Sequence, residues 1–512
     1  MQRGALRALL FAILALLLAI PLTLILAAIA GPGDSWSHIV THVLGSYVLH
    51  TVQLVALTCI TAVGLGFSLA WMVHRYDFPL RGLVSRLLVL PLAIPAFISS
   101  YAWRDLAIDA GMAFSGPWAL GFVLTLSLYP YAYLAGLAAL QMNLQRYLEQ
   151  ADSLAVAHPL RRVVLPLLTP ALVGAGLLIS LEVINEFGAA EYLGVPTISV
   201  GIFRAWTRHF DLASARFMAV GLYALVVLLL GAERILQSRR RYHEAGTHRP
   251  VDPLRPRFAW ALTVMSSLVV MLALVMPLGR LATQLPYLSA EILQQGPAIL
   301  LDTLFIGVLA SLTCIAAGLL VVMARRAAAN RFVGGAVSLI SNSGYALPGM
   351  VAAIGALSFG SQAGGVFGIG GMGLLVLALT SRYAAMAVRP LSDGVARVSR
   401  SHDEAARSLG AHDVALITRV ILPRLGGPIA AALTLVVIDV LKDLPLPLVL
   451  RPMDMSTLAL RAHQLAMDER LADASLPSLM LVAITIPLVW VLHQGLLNPL
   501  GRTHQEERHA EG

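Results

Sequence analysis

The chain alternates long apolar runs with short polar connections, and the runs have the length of membrane spans. A helix needs roughly 20 mostly apolar residues to cross a bilayer, because lipid offers no partner to an unpaired backbone N–H or C=O. Twelve runs qualify, centred near Leu17, Thr61, Leu92, Ser127, Leu177, Val226, Leu268, Leu309, Val351, Val376, Leu435 and Ile484. The first, Leu6 to Ala30, follows Arg3 and ends in AIAGPGD, which is similar to a signal-peptidase site. Its apolar core exceeds that of a signal peptide, so an uncleaved span is expected. Pro91, Pro95 and Pro348 fall inside runs and predict kinks.

One polar connection is patterned. Asp403 to Pro423 reads DEAARSLGAHDVALITRVILP. An acid-led stretch of helix formers stops at Gly410, which stands where a left-handed residue ends a helix. From Ala411 a second helix is expected, with Val414, Ile417, Val420 and Ile421 on one face, until Pro423 opens the next run.

The pattern occurs twice. Thr51 to Gly66 realigns on Thr303 to Gly318, Pro95 on Pro348, Glu149 on Glu404, and Leu165-Pro166 on Leu422-Pro423. This predicts an all-α membrane protein of about twelve helices in two parallel six-helix repeats. The expected division is 1–240 for the first half, 241–257 for a basic linker and 258–512 for the second half. The first copy of the polar loop, 149–166, is degraded: Ala155 stands in place of the glycine, and two residues are missing before Leu165.

Composition agrees with the pattern. With 58% apolar residues, 12% charged residues and a mean hydropathy of +0.78, the 512-residue chain has too little polar surface for a soluble protein. The pI near 9.8 does not indicate a nucleic-acid partner, because the arginines sit in short loops between spans. Arg3, Arg7, Arg75, Arg81, Arg86, Arg161, Arg162, the 234–257 stretch, Arg325, Arg326 and Arg331 share one predicted side, which is read as the cytosol. Exceptions such as Arg104, Arg204, Arg280, Arg451 and Arg470 fall on the other side. Both termini are then cytosolic. Cys59 and Cys314 each lie in an apolar LTCI string, so no disulfide framework or thiolate metal site is indicated.

Ionisable groups inside spans are the candidate chemistry. Glu182, Asn185 and Glu186 align with Asp439, Lys442 and Asp443, and each trio has i, i+3, i+4 spacing on one helix face. Such groups are costly in lipid and usually face a cavity or a partner. Snorkelling to the outer interface is the alternative for Glu186, Lys442 and Asp443. Glu182 and Asp439 lie one turn deeper, as symmetric carboxylates able to attract a cation or to pair with Lys442. GIGGMG at Gly368 to Gly373 has no strand before it and is discounted as a nucleotide site. His38 and His42 are spaced i, i+4, but they are read as interfacial side chains, and no metal is assigned.

The patterned loop resembles the EAA loop of ABC-importer permeases. The strings NEFG after Ile184 and KDLP…LRP…TLA from Lys442 are similar to those of the iron(III) and related binding-protein-dependent permeases, with Asp443 where Glu is commoner. The resemblance covers nearly the whole chain. It implies that Glu149, Ala151, Ala155, Glu404, Ala405, Ala406 and Gly410 couple the chain to a cytosolic ABC ATPase dimer. It also implies a periplasmic substrate-binding protein, and a translocation pathway lined by Glu182, Asn185, Glu186, Asp439, Lys442 and Asp443. ATP would be bound by the partner, since Lys442 is the only lysine and Asp443 follows it, which rules out a Walker A motif here. No cofactor of the chain's own is implied, and the host membrane is the bacterial inner membrane. Ferric iron leads the implied substrates, with thiamine and phosphonate as alternatives. A proton-coupled secondary transporter using Glu182 or Asp439 remains the reading from another class.

Overall fold

The computed structural model describes residues 17–140, 162, 165–238, 252–253, 255–327, 347–367, 371–412 and 415–497. The first polar loop, with Glu149, Ala151 and Ala155, lies outside the described residues, as does most of the 241–257 linker. Nine described helices are long and apolar enough to cross a membrane, or ten if one bent pair is a single span. Sheet structure among the described residues is one parallel contact of β1 (Tyr76–Asp77) with β2 (Asp252–Pro253), which pins the linker to the first half.

Helix α1 (Leu17–Ile29) is followed by α2 (Leu44–Arg75), α3 (Arg81–Leu87), α4 (Ala96–Asp109), α5 (Gly116–Leu140) and α6 (Leu165–Asn185). Two short helices, α7 (Gly188–Tyr192) and α8 (Ile198–Thr207), then precede α9 (Leu212–Ser238). The run centred on Leu92 is not one straight span. A 3-10 turn, Leu90–Ala93, ends there, and α4 leaves at 99° to the preceding segment. Pro95 occupies the N-cap of α4 in an extended conformation, so the helix cannot run through it.

The described chain resumes at residue 255. Helix α10 (Pro256–Val270) continues through a π turn into α11 (Met276–Gln284). Then come α12 (Ala290–Ala327), α13 (Gly349–Phe367), α14 (Gly371–Ala396), α15 (Arg400–Ser408) and α16 (Gly426–Lys442). Short α17 (Pro445–Leu450) and α18 (Leu458–Met467) lead to α19 (Leu471–Leu497).

Two groups of three helices pack closely, α2 with α5 and α6, and later in the chain α12 with α14 and α16. Small residues let these helices close up. A Cβ on Gly66 would meet the Ala132 side chain at 2.8 Å, and one on Gly318 would meet Ala387 at 3.0 Å. The aligned threonines match as well: Thr51 accepts from the Ile198 N–H at 3.1 Å and Thr303 from the Leu458 N–H at 2.8 Å. The halves also clasp each other. Ser381 of α14 donates to the Leu17 carbonyl at 2.7 Å, while Thr263 of α10 reaches back to the Pro79 carbonyl at 3.0 Å.

The second polar loop keeps the predicted turn and alters the predicted second helix. Gly410 has φ +85° and ends α15. From Leu416 to Ile421 the backbone is a π helix, which gives way to a 3-10 turn at Leu422–Leu425 because Pro423 supplies no N–H.

Candidate functional site

Between the two three-helix cores lies a cavity of about 310 Å³. Its charged lining comes from α6, α14 and α16 and the residues that follow α6 and α16: Glu182, Glu186, Arg382, Asp439, Lys442 and Asp443. Asn185 joins them. The structure thus brings all six span residues singled out in the sequence to one cavity, and adds Arg382.

Two of the acids hold backbone. Glu186 accepts from the Ala189 N–H at 2.8 Å, and Asp443 accepts from the Leu446 N–H at 3.0 Å. Each carboxylate sits three residues before the N–H that it satisfies, at the start of α7 and of α17. Both helices begin where their parent span stops, so the acid replaces the lost intrahelical partner.

Asp443 does not snorkel. Its side chain is fully buried, paired with Arg382 Nη1 and bonded to the Tyr383 hydroxyl at 2.7 Å. Arg382 is the charged lining residue that the sequence reading missed, and an arginine midway along the run centred on Val376 was the available signal. Lys442 bridges Asp439 and the Leu92 carbonyl, both at 3.2 Å. The bend at Pro95 makes that carbonyl available, because the residues after it no longer continue a helix.

Pairing Arg382 with Asp443 and Lys442 with Asp439 accounts for both cations. Among the described residues, the two further carboxyl groups of the cavity, Glu182 and Glu186, have no cationic partner. The Asn185 Oδ1 is buried and has no hydrogen-bond partner among the described residues. The cavity therefore presents two carboxyl groups beyond those paired with its cations, together with the Asn185 amide oxygen, which suits a cationic or hydrogen-bond-donating solute.

At the far end of the second half, Asp403 is buried against Arg326, whereas Glu404 and Ala405 are exposed, Ala406 is half-buried and Leu409 is 89% exposed. Helix α15 thus turns one side to its own protein and leaves the other uncovered.

No family model matches the chain. Over 448 residues it is 26% identical to an Fe(3+)-transport system permease protein of Haemophilus influenzae, spanning 85% of this chain and 86% of that one. It is 28% identical over 195 residues to a sulfate transport system permease protein of Escherichia coli, covering 34% of this chain and 69% of that protein. Over most of its length the chain is thus similar to a transport-system permease protein.

Proposed function

We propose that this permease carries a small cationic solute, with ferric iron the first candidate, from a periplasmic binding protein into the cytoplasm. Closure of a separate ABC ATPase dimer would drive the motion. The observation that carries the cationic reading is the cavity charge. Four carboxylates against two cationic side chains would repel a sulfate-like anion at low dielectric. The name of the Haemophilus relative, matched across most of both chains, supports iron over the sulfate of the shorter match.

The twelve runs form two six-helix repeats in this reading. The sulfate relative supports this, since 195 aligned residues make up 69% of it and it is therefore about half as long as this chain. Alternating access would rock the halves about the cavity. Glu404, Ala405, Ala406 and Gly410, with their weaker counterparts Glu149, Ala151 and Ala155, would seat on the ATPase subunits from the cytosolic side.

The test is ATP-dependent uptake by the complex purified with its own partners and reconstituted in vesicles, comparing radiolabelled ferric iron with sulfate. Iron uptake should fall more in the Glu182→Gln, Asp439→Asn double variant than the single changes add up to, because the two acids act on one solute. Full uptake by the double variant, or uptake without ATP, would sink the reading.

A further inference from the structure

Beyond the cavity, on the side where α4, α7 and α18 meet, a buried polar chain crosses from one half to the other. The Tyr101 hydroxyl lies 2.7 Å from His463 Nδ1, and His463 Nε2 lies 3.2 Å from Glu191 Oε2. Tyr101 and Glu191 belong to the first half and His463 to the second. Tyr101 is wholly buried and His463 is 2% exposed.

The imidazole stands directly behind the cavity wall. Phe97 and Phe187 line the cavity, and their ring centroids are 6.3 and 6.1 Å from that of His463. Next to them Gly188 approaches the other half so closely that an added Cβ would meet the Leu444 side chain at 2.6 Å. The His463 bonds span this close contact.

The hydrogen bonding is complete with a neutral ring. In the tautomer with its proton on Nε2, the ring donates to the Glu191 carboxylate and Nδ1 accepts from the Tyr101 hydroxyl, so each buried group has its partner. Nearby charges are engaged elsewhere. Arg104 donates to the Tyr192 carbonyl at 3.1 Å, Asp105 holds Arg280 and Gln284, and Arg461 reaches Gln295 and Glu291. Asp302 accepts from the Ser456 N–H, Asp473 holds Arg470, and Asp439 holds Lys442.

The chain is also one-sided. In the register that lays the capping Thr457 on Thr197, His463 falls on Phe203; in the register of Pro348 on Pro95, Tyr101 falls on Ile354. Core packing alone is met by phenylalanine and isoleucine at the sister positions. The polar version serves something that packing does not require.

We infer that His463, bonded to Tyr101 and Glu191, is a latch that holds the outer end of the cavity shut and must break when the halves part there. The inference rests on the proposed path through the cavity. Separating α18 from α4 and α7 breaks two buried hydrogen bonds at once, and the groups regain partners only when water enters. A closed resting state is thereby favoured without any bond that resists solvent once the mouth is open. His463 acts as a positioning residue and need not touch the solute.

The test reads opening directly. In a full-length chain with Cys59 and Cys314 changed to alanine, Asn185→Cys reports cavity exposure to an impermeant maleimide. Met453→Cys, fully exposed on the α17–α18 connection, marks the face being probed. Labelling is read from whichever face marks Met453→Cys, in cells or inside-out vesicles, so the topology can fail without taking the latch with it. Tyr101→Phe removes one oxygen and no volume, and it should speed labelling roughly three- to tenfold, as expected for one buried hydrogen bond. His463→Phe, copying the sister position, should do the same or more. His463→Gln, whose amide can accept from Tyr101 and donate to Glu191, should restore slow labelling. Unchanged rates in Tyr101→Phe, or a His463→Gln variant as open as His463→Phe, would overturn the latch.

Discussion

Arg326 grips Asp403 with a two-pronged pair, Nε to Oδ2 at 2.8 Å and Nη2 to Oδ1 at 2.9 Å, so the end of α12 fixes the start of the loop helix α15. The same guanidinium also donates to the Val395 and Val398 carbonyls at the end of α14. One side chain thus sets the geometry between two spans and the exposed helix. Arg326→Lys keeps the charge but loses the fork, and the order of α15 should drop by about 1–3 kcal/mol. Hydrogen exchange over 400–410 should quicken while exchange in the span cores stays put. Uniform exchange changes across the protein would refute a local anchor.

Gly410 predicts a purely conformational penalty. Nothing lies within 4 Å of an added Cβ, but φ is +85°. Gly410→Ala should cost about 1 kcal/mol, Gly410→Val more, and Gly410→Asn least, because asparagine tolerates the left-handed region. If the loop seats an ATPase subunit, co-purification of that subunit should follow the same order at constant membrane abundance. Glu404→Lys should weaken it more than Glu149→Lys, since the first loop lacks the glycine. Equal losses from both loops would contradict this.

The two ion pairs of the cavity should differ in sensitivity. Asp443→Asn leaves the Arg382 cation buried and unpaired, a loss of roughly 3–5 kcal/mol, and adding Arg382→Met should recover part of it. Asp439→Asn should be milder, because Asp439 is 29% exposed to the cavity and Lys442 keeps the Leu92 carbonyl. Membrane abundance and thermal unfolding in detergent give the ranking. Identical loss at both positions would mean that Asp439 is as structural as Asp443.

Asp211 supplies a pH test. Burial pushes its carboxyl up, but bonds from Ser214 and Ser35 outweigh this and hold it at about 2, below the ordinary 3.8. Its Oδ2 accepts from the Ser35 N–H at 3.0 Å and ties the connection after α1 to the start of α9. With the folded value depressed, the stabilisation is complete above about pH 4 and is lost as pH falls through about 2. Proteolysis near residues 31–36 should therefore rise over that window in the wild type. In Asp211→Asn it should already be high, and flat with pH there.

Much of this was legible in the sequence because lipid imposes a simple rule. Long apolar runs had to be helices, and Gly410 had to end one. The charged trios were legible as faces, because i, i+3, i+4 spacing survives any packing. Hydropathy carries no direction, however, so the run around Leu92 gave no sign of a 99° turn beyond its prolines. Arg382 could be seen as a buried cation, yet its partner Asp443 lies 61 residues away and only folding brings it near. The partnership of Tyr101 with His463, 362 residues apart, has no local signature at all.

The clasp of α1 on α14 also dictates an order of events at the ribosome. Leu17 meets Ser381 across 364 residues of chain. At synthesis rates of about 5–20 residues per second, α1 enters the membrane roughly 20–70 s before its seat has been made. A helix made that long before its seat must wait for it, and until then lipid or an insertase must shelter the face that will cover α14.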